Sequence, residues 1–393
     1  GDPTAGHGEG TLRADLSQLR EKVVAETALL LLCVAPIRDL DERIRERFDA
    51  IADLLVPLAR GRDLLAAICL DPGLACDHAV AHILLSRLGH VDLEVDHLLA
   101  QATAGVEFGP ERLPHRRLEQ AWLARMQKRD GMSDRGRPSQ RLDSRLIADS
   151  MLGRPLDALG ASRMDVYAFT HSVMYASDLG ERRFRLPRSR TRIAEDSDAA
   201  LARALDTNDF DLAAELLLAW PMLGLRWTAA AAFAFRVLAH EEDQRGFLPG
   251  STFDVARYQS LGADERTRYM LLTCYHTVYV WGFLCALALR PGCAPPSSVP
   301  PTRRARGAAV AISALLDIDD ASCWRKPFDA LSHRQQDALS PLLLALLLRR
   351  ARAAADLGLI RQALELALAH GLAHGPAPQQ AAALLRRTRA LRL

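Results

Sequence analysis

Apolar residues recur at spacings of three and four through most of the 393-residue sequence, and alternating β-branched runs bounded by turn residues do not occur at useful length. A three-and-four spacing puts apolar side chains on one stripe of a helix, so the pattern commits the chain to packed helices. Candidate helices include 163–178, 210–219, 264–289 and 333–355. Plausible caps precede several helices, with Ser162 before Arg163, Asp209 before Phe210 and Ser332 before His333. Helices joined by short loops stack as αα-hairpins, which close into a toroid around a central pocket or run on as a solenoid. No regular self-similarity of the kind carried by helical repeat families is visible. The expected class is therefore all-α, as an αα-hairpin toroid of the α/α-barrel kind or an irregular helical-repeat domain.

Three stretches interrupt the helical pattern. Residues 128–141 (KRDGMSDRGRPSQR) are polar with Gly and Pro and read as a flexible loop. Residues 182–192 hold six arginines. Residues 291–306 carry five prolines and read as a linker. The expected organisation is a Gly-rich, polar start over 1–10, read as a disordered end or cloning scar. A main helical domain over 11–290, the linker over 291–306 and a C-terminal helical extension over 307–393 follow.

The formal net charge of +2 gives no reason to expect nucleic acid or an acidic membrane surface as partner. Basic residues are nearly all Arg, with Lys at only three positions, and with so much Ala and Leu this points to the codon bias of a GC-rich, actinobacterial genome. The seven cysteines are scattered without a C-x-x-C pair, which fits reduced thiols in the cytoplasm. Residues 270–289 lack any Asp, Glu, Lys or Arg and are long enough to span a bilayer. The polar Thr273, His276 and Thr277 inside the run and the absence of a partner segment favour a buried core helix over a transmembrane one.

The candidate chemistry lies on two apolar helices. His171 and Asp178 are two turns apart on one face, about 10.5 Å along the axis, with Tyr167 and Tyr175 nearby. Tyr275 and His276 sit inside the second run. Two imidazoles and a carboxylate can hold Zn²⁺, or Fe²⁺ with open positions, so His171, Asp178 and His276 are the candidate metal ligands. The same three, with Tyr175 and Tyr275, are the candidate catalytic groups. The plainer alternative is that both histidines are hydrogen-bonded core residues and Asp178 serves the helix end. Arg182 and Arg183 in the arginine stretch would receive an anionic substrate or an acidic carrier protein, or form a solvated loop. His240 and Glu241, ahead of a Gly/Pro turn, would line a pocket rim or close a solvated helix end. His78 and His82, one turn apart, lack a third ligand nearby. No P-loop, G-x-G-x-x-G or G-x-S-x-G motif is present.

Four segments taken together, LPHRRLE at 113–119, YAFTH at 167–171 running on to YASDLG at 175–180, GFLPG at 246–250 and YHT at 275–277, resemble an uncharacterised all-helical bacterial family of actinobacterial natural-product gene neighbourhoods. The resemblance spans roughly residues 75–290. It implies that His171, Asp178 and His276 share one site and supplies no reaction. The expected function is a cytoplasmic biosynthetic enzyme acting on a small or carrier-tethered substrate, with Fe or Zn as candidate cofactor. A non-enzymatic helical scaffold is the alternative.

Overall fold

Helix-forming spacing and good caps carry through into a computed structural model that describes residues 5–104, 106, 110–130, 143–302, 305–316 and 322–390. The chain is all-α, and no strand occurs among the described residues. It divides into two compact units, Gly1–Asp143 and Ser144–Leu393. The division falls at the end of the polar 128–141 stretch and not at the proline-rich segment. Residues 131–141 of that stretch lie outside the described residues, as do 1–4 of the Gly-rich start, whereas residues 5–10 belong to the helix Ala5–Val34.

In the first unit the Ala5–Val34 helix packs on Val80–Arg87, which in turn packs on Pro114–Asp130. Leu84, Leu85, Leu118 and Trp122 are among its fully enclosed side chains. His82 is wholly buried, meets Asp96 Oδ1 at 2.9 Å and accepts from Arg60 Nε at 3.4 Å. That settles it as a satisfied core histidine.

The second unit is built around a short helix, Phe210–Leu217, all eight of whose residues are buried. Asp209 starts it by accepting from Leu212 N at 3.1 Å. Around it pack Arg163–Ala176, Arg190–Asp206, Ala229–Arg245 and Ala263–Ala288. The helix is thus covered on every face.

The proline-rich segment is fastened to this body. Trp227 Nε1 donates to Cys293 O at 3.0 Å, Gln335 Nε2 donates to Val299 O at 3.0 Å, and Val299 is completely buried. Beyond it, Ser340–Ala353 packs along Arg190–Asp206, and Arg350 holds Asp206 at 2.6 Å. Gln380 bridges the chain at Leu156 and Ala158. Residues 307–393 therefore complete the second unit's core and are not an extension on a tether. Proline fixes local backbone direction but does not decide whether a segment packs.

Among the described residues, Ala263–Ala288 is the one helix long and apolar enough to cross a membrane. Cys274, Thr277, Val280, Trp281 and Leu284 face inward, with contact to Phe210–Leu217, while Leu271, Leu272 and Val278 stay exposed.

Candidate functional site

The histidine at the centre of the first motif rides on Arg163–Ala176. Ser162 begins that helix with a capping box, its hydroxyl accepting from Asp165 N at 3.1 Å while Asp165 Oδ2 accepts from Ser162 N at 2.9 Å. These bonds to Ser162 also hold the Asp165 carboxyl below its ordinary range. The second histidine rides on Ala263–Ala288, which is positioned by the GFLPG turn. Gly246 closes the preceding helix at φ 78°, and a Cβ on Gly250 would lie 1.9 Å from Thr273 O. Only glycine lets that turn lie against the His276 helix so closely.

Between these two helices lies Phe210–Leu217, which contributes Asp211 and Glu215. Four residues apart, they share one face of the buried helix. His171 Nε2 stands 3.6 Å from Glu215 Oε1, and His276 Nε2 stands 3.9 Å from the same oxygen. His276 Nε2 is also 3.5 Å from Asp211 Oδ1. The second oxygen of Glu215 accepts from Thr170 Oγ1 at 2.5 Å. Arg163 donates from Nη2 to Asp211 Oδ2 at 2.7 Å and from Nε to Asp209 Oδ2 at 2.8 Å. Asp211 Oδ1, turned toward His276, is buried without a hydrogen-bond partner among the described residues.

The electrostatics separate the two acids. Burial alone would raise the Glu215 carboxyl, but the His171 and His276 imidazoles and the Thr170 hydroxyl outweigh it and hold the group well below its usual range. For Asp211, burial and the neighbouring Glu215 charge win over His276 and Arg163, and its carboxyl is pushed up to about 6. Arg163 is held charged by Asp209 first and Asp211 next.

Asp211, Glu215 and His276 each offer a ligand atom within 4.8 Å of the others. Ligands about 2.1 Å from a tetrahedral ion are about 3.4 Å from one another. The 3.5 Å and 3.9 Å separations here are near that edge and too long for good hydrogen bonds. The set is one imidazole and two carboxylates, with His171 against the shared Glu215 oxygen.

Of the residues singled out by sequence, the structure brings His171 and His276 to one place. The carboxylates that meet them are Asp211 and Glu215. Asp178 sits outside the helix, which ends at Ala176, in a left-handed turn at φ 53°. The helical projection that eclipses it with His171 needs the helix to run two residues further than it does. Tyr167 lies over His171 with ring centres 3.8 Å apart, Tyr175 meets His171 edge-on at 5.7 Å, and Tyr275 meets His276 at 6.3 Å. In the arginine stretch, Arg188 turns inward to Asp196 at 2.6 Å and to Leu152 O, while Arg183, Arg185 and Arg190 are exposed. Arg182 is half-buried, and its backbone N–H closes the turn on Ser177 O. His240 and Glu241 line a separate cavity of about 770 Å³, where Glu241 pairs with Arg245 at 2.9 Å.

Asp211 and Glu215 escape the sequence reading because Phe210–Leu217 looks like ordinary core. The signal that marks them is a pair of acids at i and i+4 in a helix with no other polar residue after its cap.

The comparisons add a family and no activity. Among curated proteins and among solved structures, none matches this chain. One family model matches residues 9–286, a span that holds both histidines and both carboxylates of the cluster. The chain belongs to that family, described as a domain of unknown function (DUF6895).

Proposed function

We propose that this protein is an enzyme whose reacting centre is the cluster of Asp211, Glu215 and His276, working with one divalent transition-metal ion. The observation that carries the reading is the spacing of the donor atoms about Glu215, with the buried Asp211 oxygen left without a hydrogen bond. Zinc would supply a polarised water for hydrolysis, and iron would supply oxygen chemistry. His171 braces Glu215 from the side away from solvent, and Thr170 fixes the other oxygen of that carboxylate. His276 is 28% exposed at its side chain, so the cluster opens outward at this histidine, beside Tyr275.

The proposed setting is cytoplasmic natural-product biosynthesis in an actinobacterium, with a small or carrier-tethered substrate. Its support is the arginine-for-lysine bias, the seven free thiols and the exposed Arg183, Arg185 and Arg190, which suit an acidic carrier.

Elemental analysis after loading with Fe²⁺ or Zn²⁺ and exhaustive dialysis tests the metal. Near one ion per chain is expected, lost in Asp211→Asn and His276→Ala variants that keep the parent's helical content and melting cooperativity. An ion retained equally by both variants, or none held by the parent, would overturn the reading.

The scaffold alternative has one observation of its own. Leu271, Leu272 and Val278 are 62%, 46% and 39% exposed on one helix, an apolar face of the kind that partners cover.

A further inference from the structure

A second recess in the Ser144–Leu393 unit has a different character. Its volume is about 480 Å³, and none of the histidine cluster lines it. Small and apolar side chains make most of its wall, including Ala199, Ala229, Leu342 and Ala345. Among the described residues no lysine or arginine lines it, and its titratable groups are Asp198, Glu195 and His374. Glu195 is already engaged by Arg192 at 2.9 Å.

Asp198 is the unusual member. Its Oδ1 accepts from Thr228 Oγ1 at 2.6 Å, and among the described residues no cationic side chain pairs with it. The Thr228 hydroxyl is itself fixed, because it caps Ala229–Arg245 by accepting from Ala231 N at 3.1 Å and so has its proton to give to Asp198. The start of that helix offers part of a counter-charge. Burial nevertheless pushes the Asp198 carboxyl up to about 7, against the pull of Thr228. An acid recessed in an apolar wall is costly without a cation beside it. In the larger cavity, by contrast, Arg245 and Asp209 have partners within the protein.

We infer that this recess is a binding site for a small organic cation, an amine with an apolar body, whose ammonium pairs with Asp198 while the body fills the alanine and leucine wall. The volume falls within the usual range for small-molecule sites. The site is independent of the proposed metal centre, so either can fail without the other.

Isothermal titration at pH 8 with benzylamine and phenethylamine tests it, with benzyl alcohol and benzoate as probes of similar size and different charge. The amines are expected to bind at least about tenfold more tightly than either control, since one ion pair of this kind outweighs a neutral contact. Asp198→Asn, whose amide oxygen can still accept from Thr228, should lose that preference. Ala229→Leu, which narrows the recess and keeps the carboxylate, should weaken the amines as well. The inference is overturned if neither amine binds the parent protein, if benzyl alcohol binds as well as benzylamine, or if a folded Asp198→Asn variant binds the amines unchanged. Should Asp198→Asn fail to fold, the alcohol comparison and Ala229→Leu still decide.

Discussion

Glu215, fully enclosed, and Asp198, half-buried, are two acids with opposite solutions. Glu215 is surrounded by groups that favour its charge, Thr170 among them at 2.5 Å. A hydrogen bond to a charged group contributes about 1.5–3 kcal/mol, and leaving that oxygen unsatisfied costs a similar amount. Thr170→Val keeps the shape and removes the donor. It should lower unfolding free energy by about 2 kcal/mol in urea titrations; an unchanged midpoint would mean that the hydroxyl gives its one proton to Tyr167 O, 2.9 Å away, and not to Glu215. Asp198 has the reverse sign. Its folded value is raised to about 7 from an ordinary value near 4, so between those limits the native state binds more protons than the unfolded one. Its contribution is present at low pH and is lost as pH rises through 7. Asp198→Asn should therefore gain on the parent protein between pH 5 and pH 8, by up to a few kcal/mol. Urea unfolding of both proteins at the two pH values measures this, and a difference that shrinks with pH would contradict the assignment.

At the scale of elements, the GFLPG turn is a positioning device for the His276 helix. Gly250→Ala drives a Cβ against the Thr273 carbonyl, a backbone atom that cannot swing aside. A loss of about 2 kcal/mol or more is expected in thermal or urea unfolding, together with a weakened metal stoichiometry if His276 shifts. Much at this scale was readable in the sequence. His171 and His276 stood out because imidazoles are conspicuous on apolar helices, and the Ser162 and Asp209 caps marked true helix starts. Asp178 does not share the His171 helix, because a helical wheel continues past the residue where the backbone turns left-handed. Asp211 and Glu215 were hidden because a carboxylate in a core helix has meaning only through what faces it, and both facing imidazoles come from distant segments. The same limit applies to ring closure, since periodicity says which face of a helix is buried and not which helix buries it.

For the whole molecule, the second unit reaches from Ser144 to Leu393, although the family match ends at residue 286. Removing residues 307–393 would strip Ser340–Ala353 from Arg190–Asp206 and uncover the side of that helix that carries the buried Ala199, which shares a recess with Leu342 and Ala345. A chain ending at residue 290 should lose cooperative melting by circular dichroism and bind a hydrophobic dye. A sharp transition near that of the full chain would show instead that the C-terminal helices are dispensable. The eight enclosed residues of Phe210–Leu217 carry the same dependence into time. With no face toward water, their amides have no local route to exchange with deuterium and should open only when the unit opens. The carboxylates on that helix should then be as long-lived in their places as the native state itself, which would make a slowly exchanging segment also the one that carries the proposed metal ligands.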